Sequence, residues 1–395
     1  MKNRNILKIK IAVMALATIQ MASTALTPAI AGISQHFPNV SSSVVQLLLS
    51  LPALCVVPFA LFSGSIVTIL PKKTLLIIGI VMVGFGGLAP ILLDDFALIL
   101  IMRIILGIGV GLITPIAPSI LTDYLSGDEL NSAMGLYGSF ACFGGIFNSL
   151  VGGLLAEIGW RYNFAVYVTC IPILILTILF LPNDGKVKQA FKADKVRVEA
   201  KVFYIAVICF LFTTAKFAFT MNISMFVSEE GLGDASLTGM LSSVYTAGGF
   251  IAGIIFGKLS KMFQNYTLGA GILFASAGMF MMFVTNDIAI LFIGAFLLGT
   301  ALSVVNPRFN IMISEVASPK SMALSLAVLT AMMNLGQFAA PIVFNTLGDV
   351  TGFTTKRSQF LLAGAALAIL GLGSLVATYF RNRRIRIAAG ADREA

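Results

Sequence analysis

Three cationic side chains lie inside long apolar stretches of the sequence, namely Arg103, Lys216 and Arg308. The 17 acidic residues, by contrast, fall between these stretches or at their ends. If the stretches cross a membrane, a central Lys or Arg costs about 2.5–3.5 kcal/mol even on a lenient insertion scale. Without a buried acid, such a cation requires water, backbone carbonyl groups or a visiting anion. The chemistry that these residues suggest is therefore reversible binding of an anionic group.

Lys216 is the strongest candidate because it lies near the middle of its stretch, where its side chain cannot easily reach either interface. The same stretch also carries Thr213, Thr214, Thr220 and Asn222. We predict that Lys216 faces a central cavity and binds the anionic group of a substrate. The alternative is a lysine paired with backbone carbonyl groups or with an acid at a helix end.

Arg308 follows Pro307 in a polar segment that also contains Asn306 and Asn310. Proline lacks a backbone donor and therefore frees a carbonyl group one turn earlier. This segment is predicted to line the cavity or to act as a gate. The alternative is that Arg308 pairs with Glu315 or reaches the nearer interface.

Other polar side chains inside the stretches are further candidates. The predicted substrate contacts, besides Lys216 and Arg308, are Gln20, Thr24, Asn222, Tyr245, Asn306, Asn310, Asn334 and Gln337. Arg103 and Asn148 are predicted to serve coupling or gating. Each of these residues equally fits a hydrogen bond between packed helices, worth about 1 kcal/mol.

Several other kinds of chemistry are disfavoured by the sequence. His36 is the only histidine, and the four cysteines lie in apolar stretches without the spacing of metal ligands. Paired carboxylates and a Ser–His pair are absent as well, so we expect no enzyme activity, no metal and no cofactor. The net charge of +9 falls in short clusters rather than in a basic stripe with aromatic residues, so no nucleic-acid partner is expected.

The elements that position these residues are predicted from composition. Hydrophobic residues make up 58% of the 395 residues and charged residues only 11%, whereas soluble domains carry about 25% charged residues. Lipid cannot satisfy exposed backbone groups, so each stretch must be a helix. We predict an all-α membrane protein with twelve transmembrane helices at about 11–33, 44–70, 74–93, 96–121, 133–156, 164–181, 202–227, 237–257, 266–285, 288–313, 321–346 and 358–380.

The distribution of Lys and Arg predicts the orientation. With the N-terminus inside, almost all basic residues outside the helices fall on one side, and the other side receives only Arg161, Lys356 and Arg357. Both termini are therefore predicted to lie in the cytoplasm, with the protein in the cytoplasmic (inner) membrane. The basic start and Ala29-Ile30-Ala31 also resemble a cleavable signal peptide. An uncleaved first helix is preferred because cleavage would leave an odd number of helices.

The chain repeats internally. Gly107, Pro115 and Asp123 recur 192 residues later as Gly299, Pro307 and Glu315. We predict two pseudo-symmetric six-helix halves, with the substrate site between them near the midplane. The predicted boundaries are 1–181 for the N-terminal half, 182–201 for a basic cytoplasmic linker and 202–395 for the C-terminal half with its basic tail.

These features lead to a family resemblance along essentially the whole chain. Arg103 followed by Gly107, Gly109 and Gly111 resembles the fourth-helix motif of the major facilitator superfamily, and the segment 152–164, Gly-Gly followed by Gly-Trp-Arg-Tyr-Asn-Phe, is similar to its fifth-helix signature. The resemblance implies a transporter that works as a monomer, with helices 1, 2, 4, 5, 7, 8, 10 and 11 around the cavity. It also implies that the fourth-helix arginine serves proton coupling or helix packing.

Three functions remain open at this stage. The first is a secondary transporter that moves a small organic, carboxylate-type anion by alternating access, as an exchanger or a symporter. The second is a proton-driven multidrug efflux antiporter, although the sequence lacks the membrane acid that such pumps use. The third is a non-transporting membrane receptor. The expected partners are the small-molecule substrate, membrane lipids and protons.

Overall fold

A computed structural model describes residues 2–67, 69–182, 198–318 and 321–394. Most of the predicted linker lies outside these residues. The helices of the described chain are α1 Lys2–Ala17, α2 Ile30–His36, α3 Ser42–Ile66, α4 Lys72–Leu88, α5 Phe96–Tyr124, α6 Gly127–Ile158, α7 Cys170–Phe180, α8 Ala200–Glu229, α9 Ala235–Phe263, α10 Thr267–Val284, α11 Ile288–Val316, α12 Met322–Thr351 and α13 Lys356–Glu394. Four 3-10 segments join some of them, at Thr18–Ala29, Ala89–Leu92, Tyr162–Thr169 and Gln264–Tyr266.

Three acidic residues define the starts of long helices. The side chains of Asp95, Asp234 and Asp287 accept hydrogen bonds from backbone N–H groups in the first turns of α5, α9 and α11. Each carboxylate accepts hydrogen bonds from N–H groups that have no partner within the helix. Its negative charge also interacts favourably with the positive end of the helix dipole. These acids therefore stabilise helix ends rather than lying within the membrane interior.

Eleven segments of the described chain are long and apolar enough to cross a membrane. Their bounds agree with most of the predicted helices to within several residues, but the second segment ends at Ala60 instead of near residue 70, and the eighth and ninth predicted helices form one segment, Ala235–Val284. That segment is broken at Gln264, which has a φ of 46°. α9 and α10 pack along the same stretch of α11, through Gly248 against Phe296 and Gly278 against Leu298. The chain therefore folds back at Gln264, and only a short turn separates the two helices.

The predicted repeat appears as equivalent contacts in the two halves. Gly107 of α5 packs against the backbone of Pro52 in α3, and Gly299 of α11 packs against the backbone of Tyr245 in α9. Pro52 and Tyr245 are 193 residues apart in the sequence. In both places the glycine leaves no room for a side chain, so the two helices touch backbone to backbone.

The bundle has two ends, which we call terminal and distal. At the terminal end Lys10 contacts Glu129 in the N-terminal half, and Asn382 contacts Asn265 in the C-terminal half. The distal end is the opposite end, where the first span, Ile6–His36, finishes and α9 begins. If both termini are cytoplasmic, as predicted, the distal end faces the outside.

Candidate functional site

Lys216 shares one face of α8 with Phe212 and Phe219, because residues three and four apart are neighbours on a helix. The ring centroid of Phe212 lies 6.3 Å from that of Phe309 in α11. The ring centroid of Phe219 lies 5.2 Å from that of Tyr245 in α9. Lys216 therefore lies between two aromatic pairs, each of which joins α8 to another helix of the C-terminal half.

The ammonium group of Lys216 has no partner in the described part of the chain. The residue is 7% exposed, and no described side chain or carbonyl group accepts a hydrogen bond from it or forms an ion pair with it. A buried charge is costly unless it is paired and hydrogen-bonded. The site therefore offers a cation whose acceptor position is open.

The packing of α8 shows which way this face points. α8 packs mainly against α12 and α13 and touches α9 and α11 only lightly. At the α12 contact, a Cβ on Gly336 would lie 2.7 Å from the carbonyl oxygen of Phe210. Lys216 thus lies on the part of α8 whose flanking rings, Phe212 and Phe219, contact α11 and α9 rather than α12.

A buried amide network joins the two halves at the distal end. The side-chain amide of Gln46 in α3 donates to the Asn222 oxygen in α8 over 2.7 Å. The Gln46 oxygen accepts from Asn345 in α12 over 2.7 Å, and Asn345 accepts from Gln359 in α13 over 3.0 Å. Gln46 and Asn222 are fully buried. Asn222, a predicted substrate contact, therefore lies in the distal closure.

A second distal contact consists of glycines. Gly153 of α6 and Gly239 of α9 pack against each other, and a Cβ on Gly239 would lie 2.5 Å from the carbonyl oxygen of Ser149. One turn deeper, the hydroxyl group of Ser243 donates to the carbonyl oxygen of Ile146 over 3.2 Å. The two halves are therefore in backbone contact here.

The third distal contact joins equivalent positions of the repeat. The Ser224 hydroxyl group accepts from the backbone N–H of Ala31 over 3.1 Å, and Gln35 donates to Ser228 over 3.1 Å. Both pairs are separated by 193 residues, which is the repeat offset. The ends of the first span and of α8 therefore meet along the pseudo-two-fold axis.

Polar contacts at the terminal end stay within each half. Lys72 pairs with Asp123 over 2.6 Å in the N-terminal half. The carboxylate of Glu199, which precedes α8, accepts from the backbone N–H of Ser318 and from the Ser321 hydroxyl group, both over 2.9 Å. Within the described ranges, every hydrogen bond between the halves lies towards the distal end. The structure is therefore closed at the distal end.

Arg103 occupies a separate site inside the N-terminal half. It is fully buried, and its Nη1 atom donates to the Tyr167 hydroxyl group over 2.9 Å, which in turn donates to the carbonyl oxygen of Ala22 over 2.8 Å. Its guanidinium group also lies 5.0 Å from the Phe164 ring centroid. These contacts connect α5 to the first span and to the sixth span, Tyr162–Phe180. They correspond to the alternative in which Arg103 serves helix packing.

Arg308 lies in a lateral groove of the C-terminal half. Its Nη1 atom pairs with Glu315 over 3.1 Å, while its buried Nε atom has no acceptor in the described chain. The groove is also lined by Arg381 near the end of α13. Lys216 is not among the residues that line it, so the two predicted cations do not share this groove.

The remaining predicted residues make mostly local contacts. Gln20 donates to the Tyr137 hydroxyl group over 2.9 Å, which joins the first span to α6. Thr24 and Asn148 both donate a hydrogen bond to the backbone carbonyl oxygen of Met21. Asn334 donates to the backbone carbonyl oxygen of Thr330. Among the described residues, Asn306, Asn310 and Gln337 have no hydrogen-bond partner, and the Asn306 oxygen is buried.

The sequence did not single out the residues of the distal closure. Gln46, Ser224, Asn345 and Gln359 are not among the predicted site residues. An amide in an apolar helix is the only signal that they carry, and that signal does not reveal a partner on another helix. Gly239 likewise carried no signal beyond its small size.

Comparisons with known proteins agree on one family. The sequence profile of the Major Facilitator Superfamily matches residues 12–267 and 205–395. The uncharacterized MFS-type transporter YdeG of Bacillus subtilis is 24% identical over 200 residues, which are 49% of this chain and 44% of that protein. The match to YdeG thus spans less than half of its length.

A longer match and a solved structure extend the comparison. The quinolone resistance protein NorA of Staphylococcus aureus (strain COL) is 20% identical over 325 residues, 79% of this chain and 82% of that protein. A point mutant of the nucleoside transporter NupG superposes with a TM-score of 0.80 at 12% identity, covering 93% of this chain and 99% of that one. At this identity the structural likeness shows the fold alone.

Proposed function

Because the chain belongs to the major facilitator superfamily, and is therefore a membrane transporter, we propose that its substrate is a small organic anion moved by alternating access. The observation that carries this proposal is Lys216, a buried cation without a counter-ion in the described chain, between the pairs Phe212–Phe309 and Phe219–Tyr245. The proposal does not depend on Arg308.

The surroundings of Lys216 define the class of anion. A carboxylate supplies the charge and the strong acceptor that the ammonium group lacks. The flanking rings favour an aromatic or apolar body, because aromatic pairs interact through offset and edge-to-face contacts. The substrate is therefore an amphipathic carboxylate rather than a compact inorganic anion.

The same charge couples binding to movement. Closing the site removes water from Lys216, which is less costly when a bound carboxylate neutralises the ammonium group. The loaded carrier therefore closes more readily than the empty one. Opening the distal end requires the hydrogen bonds of the Gln46 side-chain amide to break and the Gly153–Gly239 contact to separate. One half then rocks against the other.

A second candidate is a proton-driven drug efflux antiporter. It is favoured by the similarity to NorA, whose name assigns it quinolone resistance. An apolar cavity of about 420 Å³ in the N-terminal half, lined by Phe140, Phe143 and Phe147, adds a surface for lipophilic compounds. This candidate does not require Lys216.

The test is ligand-induced thermal stabilisation of the purified protein with aromatic carboxylates and with lipophilic cations. It compares wild type, Lys216→Gln and Lys216→Arg. A matched control is Lys356→Gln, because Lys356 is equally buried, at 5% exposure, but lies at the distal end of α13. A hydrogen bond to a charged group is worth about 1.5–3 kcal/mol, so Lys216→Gln should weaken carboxylate binding about 10- to 150-fold.

The outcomes separate the two candidates. Stabilisation by aromatic carboxylates that is lost in Lys216→Gln, partly kept in Lys216→Arg and retained in Lys356→Gln supports anion transport. The best stabilising compound is then the probe for uptake into proteoliposomes. Stabilisation by lipophilic cations that is unchanged in Lys216→Gln would contradict the anion proposal and favour drug efflux.

A further inference from the structure

A lateral groove of about 440 Å³ opens between α8, α10, α11 and α13 in the C-terminal half. Its walls include Met312, Ile369, Leu370 and Gly373. Ile369 is 74% exposed, and a Cβ placed on Gly373 would meet nothing within 4 Å. The groove is therefore open along the outer surface of the bundle, where lipid surrounds a membrane protein.

Two arginines give the groove a positive charge. Arg308 and Arg381 both line it, and none of the lining residues that the structure describes is acidic. Glu315 engages only the Nη1 atom of Arg308, and the buried Nε atom of this guanidinium has no acceptor in the described chain. Arg381 forms no ion pair with any described residue. The Nη2 atom of Arg308 has no partner in the described chain and is not among its buried atoms, so this nitrogen and the whole of Arg381 are available to an anion.

Both arginines lie at the depth of lipid headgroups. Arg308 follows the start of α11 at Ile288 by 20 residues, or about 30 Å of helix. Arg381 follows the start of α13 at Lys356 by 25 residues, or about 38 Å of helix. Because the hydrocarbon core is about 30 Å thick, both side chains reach its terminal-side boundary.

The apolar wall lies deeper than the charges. Gly373 and Ile369 precede Arg381 by 8 and 12 residues, about 12–18 Å closer to the membrane centre. A free phosphate or a soluble anion would use only the arginines. A phospholipid would use both regions, with its phosphate on the arginines and an acyl chain along the wall.

We propose that this groove is a specific binding site for one anionic phospholipid. Its phosphate group accepts hydrogen bonds from Arg308 and Arg381, and guanidinium groups suit phosphate because they present paired donors. One acyl chain lies beside Gly373, where a larger side chain would otherwise fill the space. This inference is independent of the transported solute.

The proposal is tested by titrating purified protein with phosphatidylglycerol in mixed micelles and recording melting temperature and bound lipid by native mass spectrometry. Phosphatidylcholine and inorganic phosphate are the comparison ligands. The variants are Arg308→Gln, Arg381→Gln and Gly373→Leu. Arg383→Gln is the matched control, because Arg383 lies on the same helix but does not line the groove.

We expect saturable binding of phosphatidylglycerol but not of phosphatidylcholine or phosphate. A basic residue near an anionic headgroup contributes about 1 kcal/mol, so each arginine variant should weaken binding about fivefold. Gly373→Leu should weaken it as well, without removing any charge, and it keeps the test valid if Arg308→Gln fails to fold. An equal loss in Arg383→Gln, an equal effect of inorganic phosphate, or unchanged binding in Gly373→Leu and Arg381→Gln would overturn the proposal.

Discussion

Asn345 donates to Gln46 over 2.7 Å across the interface between the two halves, although 299 residues separate them in sequence. Gln46 uses the other end of its amide to bind Asn222 over 2.7 Å. One buried side chain of the N-terminal half thus holds two helices of the C-terminal half. Separating the two halves at the distal end therefore requires these hydrogen bonds to break.

Asn345→Leu should weaken the distal closure. The variant leaves the Gln46 oxygen unpaired, and a buried polar group without a partner costs about 1–3 kcal/mol, which increases the open fraction roughly 5- to 150-fold. The measurement is the labelling rate of Thr238→Cys by a membrane-impermeant thiol reagent, in a background that lacks the four native cysteines. Thr238 lines a small distal cavity and is 1% exposed.

Asn334→Leu is the control for that experiment. Asn334 lies on the same helix, but its amide donates only to the carbonyl oxygen of Thr330 one turn earlier. Its loss should leave the labelling rate of Thr238→Cys at the wild-type value. Equal rates in Asn345→Leu and wild type would show that the amide network does not hold the distal end closed.

Gly239→Ala should separate the halves by steric contact alone. Its Cβ would lie 2.5 Å from the backbone oxygen of Ser149, which cannot rotate away. We expect faster labelling of Thr238→Cys and a lower melting temperature. Gly257→Ala is the control on the same helix, because a Cβ there meets nothing within 4 Å. If both substitutions behave alike, close approach at Gly239 is not what closes the structure.

Tyr167→Phe should destabilise the N-terminal half. The substitution removes the hydroxyl group that accepts from the Nη1 atom of Arg103. The Nε and Nη2 atoms of the same guanidinium group already have no acceptor in the described chain. We expect a loss of about 1–3 kcal/mol, seen as a lower melting temperature. Tyr162→Phe is the control, because Tyr162 is 55% exposed. An unchanged melting temperature in Tyr167→Phe would show that Arg103 does not stabilise this helix contact.

Stability should depend on pH through Glu199 at the terminal end. The backbone N–H of Ser318 and then the Ser321 hydroxyl group lower the pKa of the Glu199 carboxyl group from 4.5 to about 2. A lowered pKa means that the ionised group stabilises the fold above pH 4.5, and that this contribution is lost as the pH falls towards 2. The melting-temperature difference between wild type and Glu199→Gln should thus be constant from pH 5 to 7 and shrink below pH 4.5.

The control for this titration is Glu157→Gln, because the described chain gives Glu157 no hydrogen bond. Its melting temperature should follow that of wild type at every pH. If the difference between wild type and Glu199→Gln is the same at pH 3 and pH 7, the hydrogen bonds to Ser318 and Ser321 do not select the ionised carboxylate.

The helices could be predicted from sequence because lipid leaves the backbone few alternatives. The face of the helix on which each side chain lies could not be predicted. Helices that are apolar on all sides carry no periodic signal, and consecutive residues are rotated by about 100° around the helix axis. Arg308 shows this limit. Its sequence context predicts either a cavity or gate position or a pairing with Glu315, and only the structure shows that it contacts Glu315 and lines the lateral groove.

The hydrogen-bond partners of the polar side chains could not be predicted from the sequence either. Lys216 and Asn222 lie in the same stretch, but within the described residues only Asn222 has a hydrogen-bond partner, and that partner is Gln46 in the other half. Asn345 and Gln359 were missed for the same reason. Hydrogen bonds between the halves depend on how the halves dock, and local composition does not encode docking.

The two contacts at the distal interfaces, glycine on glycine and amide on amide, occupy equivalent places in the repeat. Gly239 follows Gln46 by 193 residues, and Asn345 follows Gly153 by 192. In a symmetric homodimer of the N-terminal half, each Gln46 would face Gly153 of the other copy. In a symmetric homodimer of the C-terminal half, each Asn345 would face Gly239 of the other copy. Such homodimers would form neither the amide pair nor the glycine pair, so the two halves carry complementary parts of the distal closure that are not interchangeable.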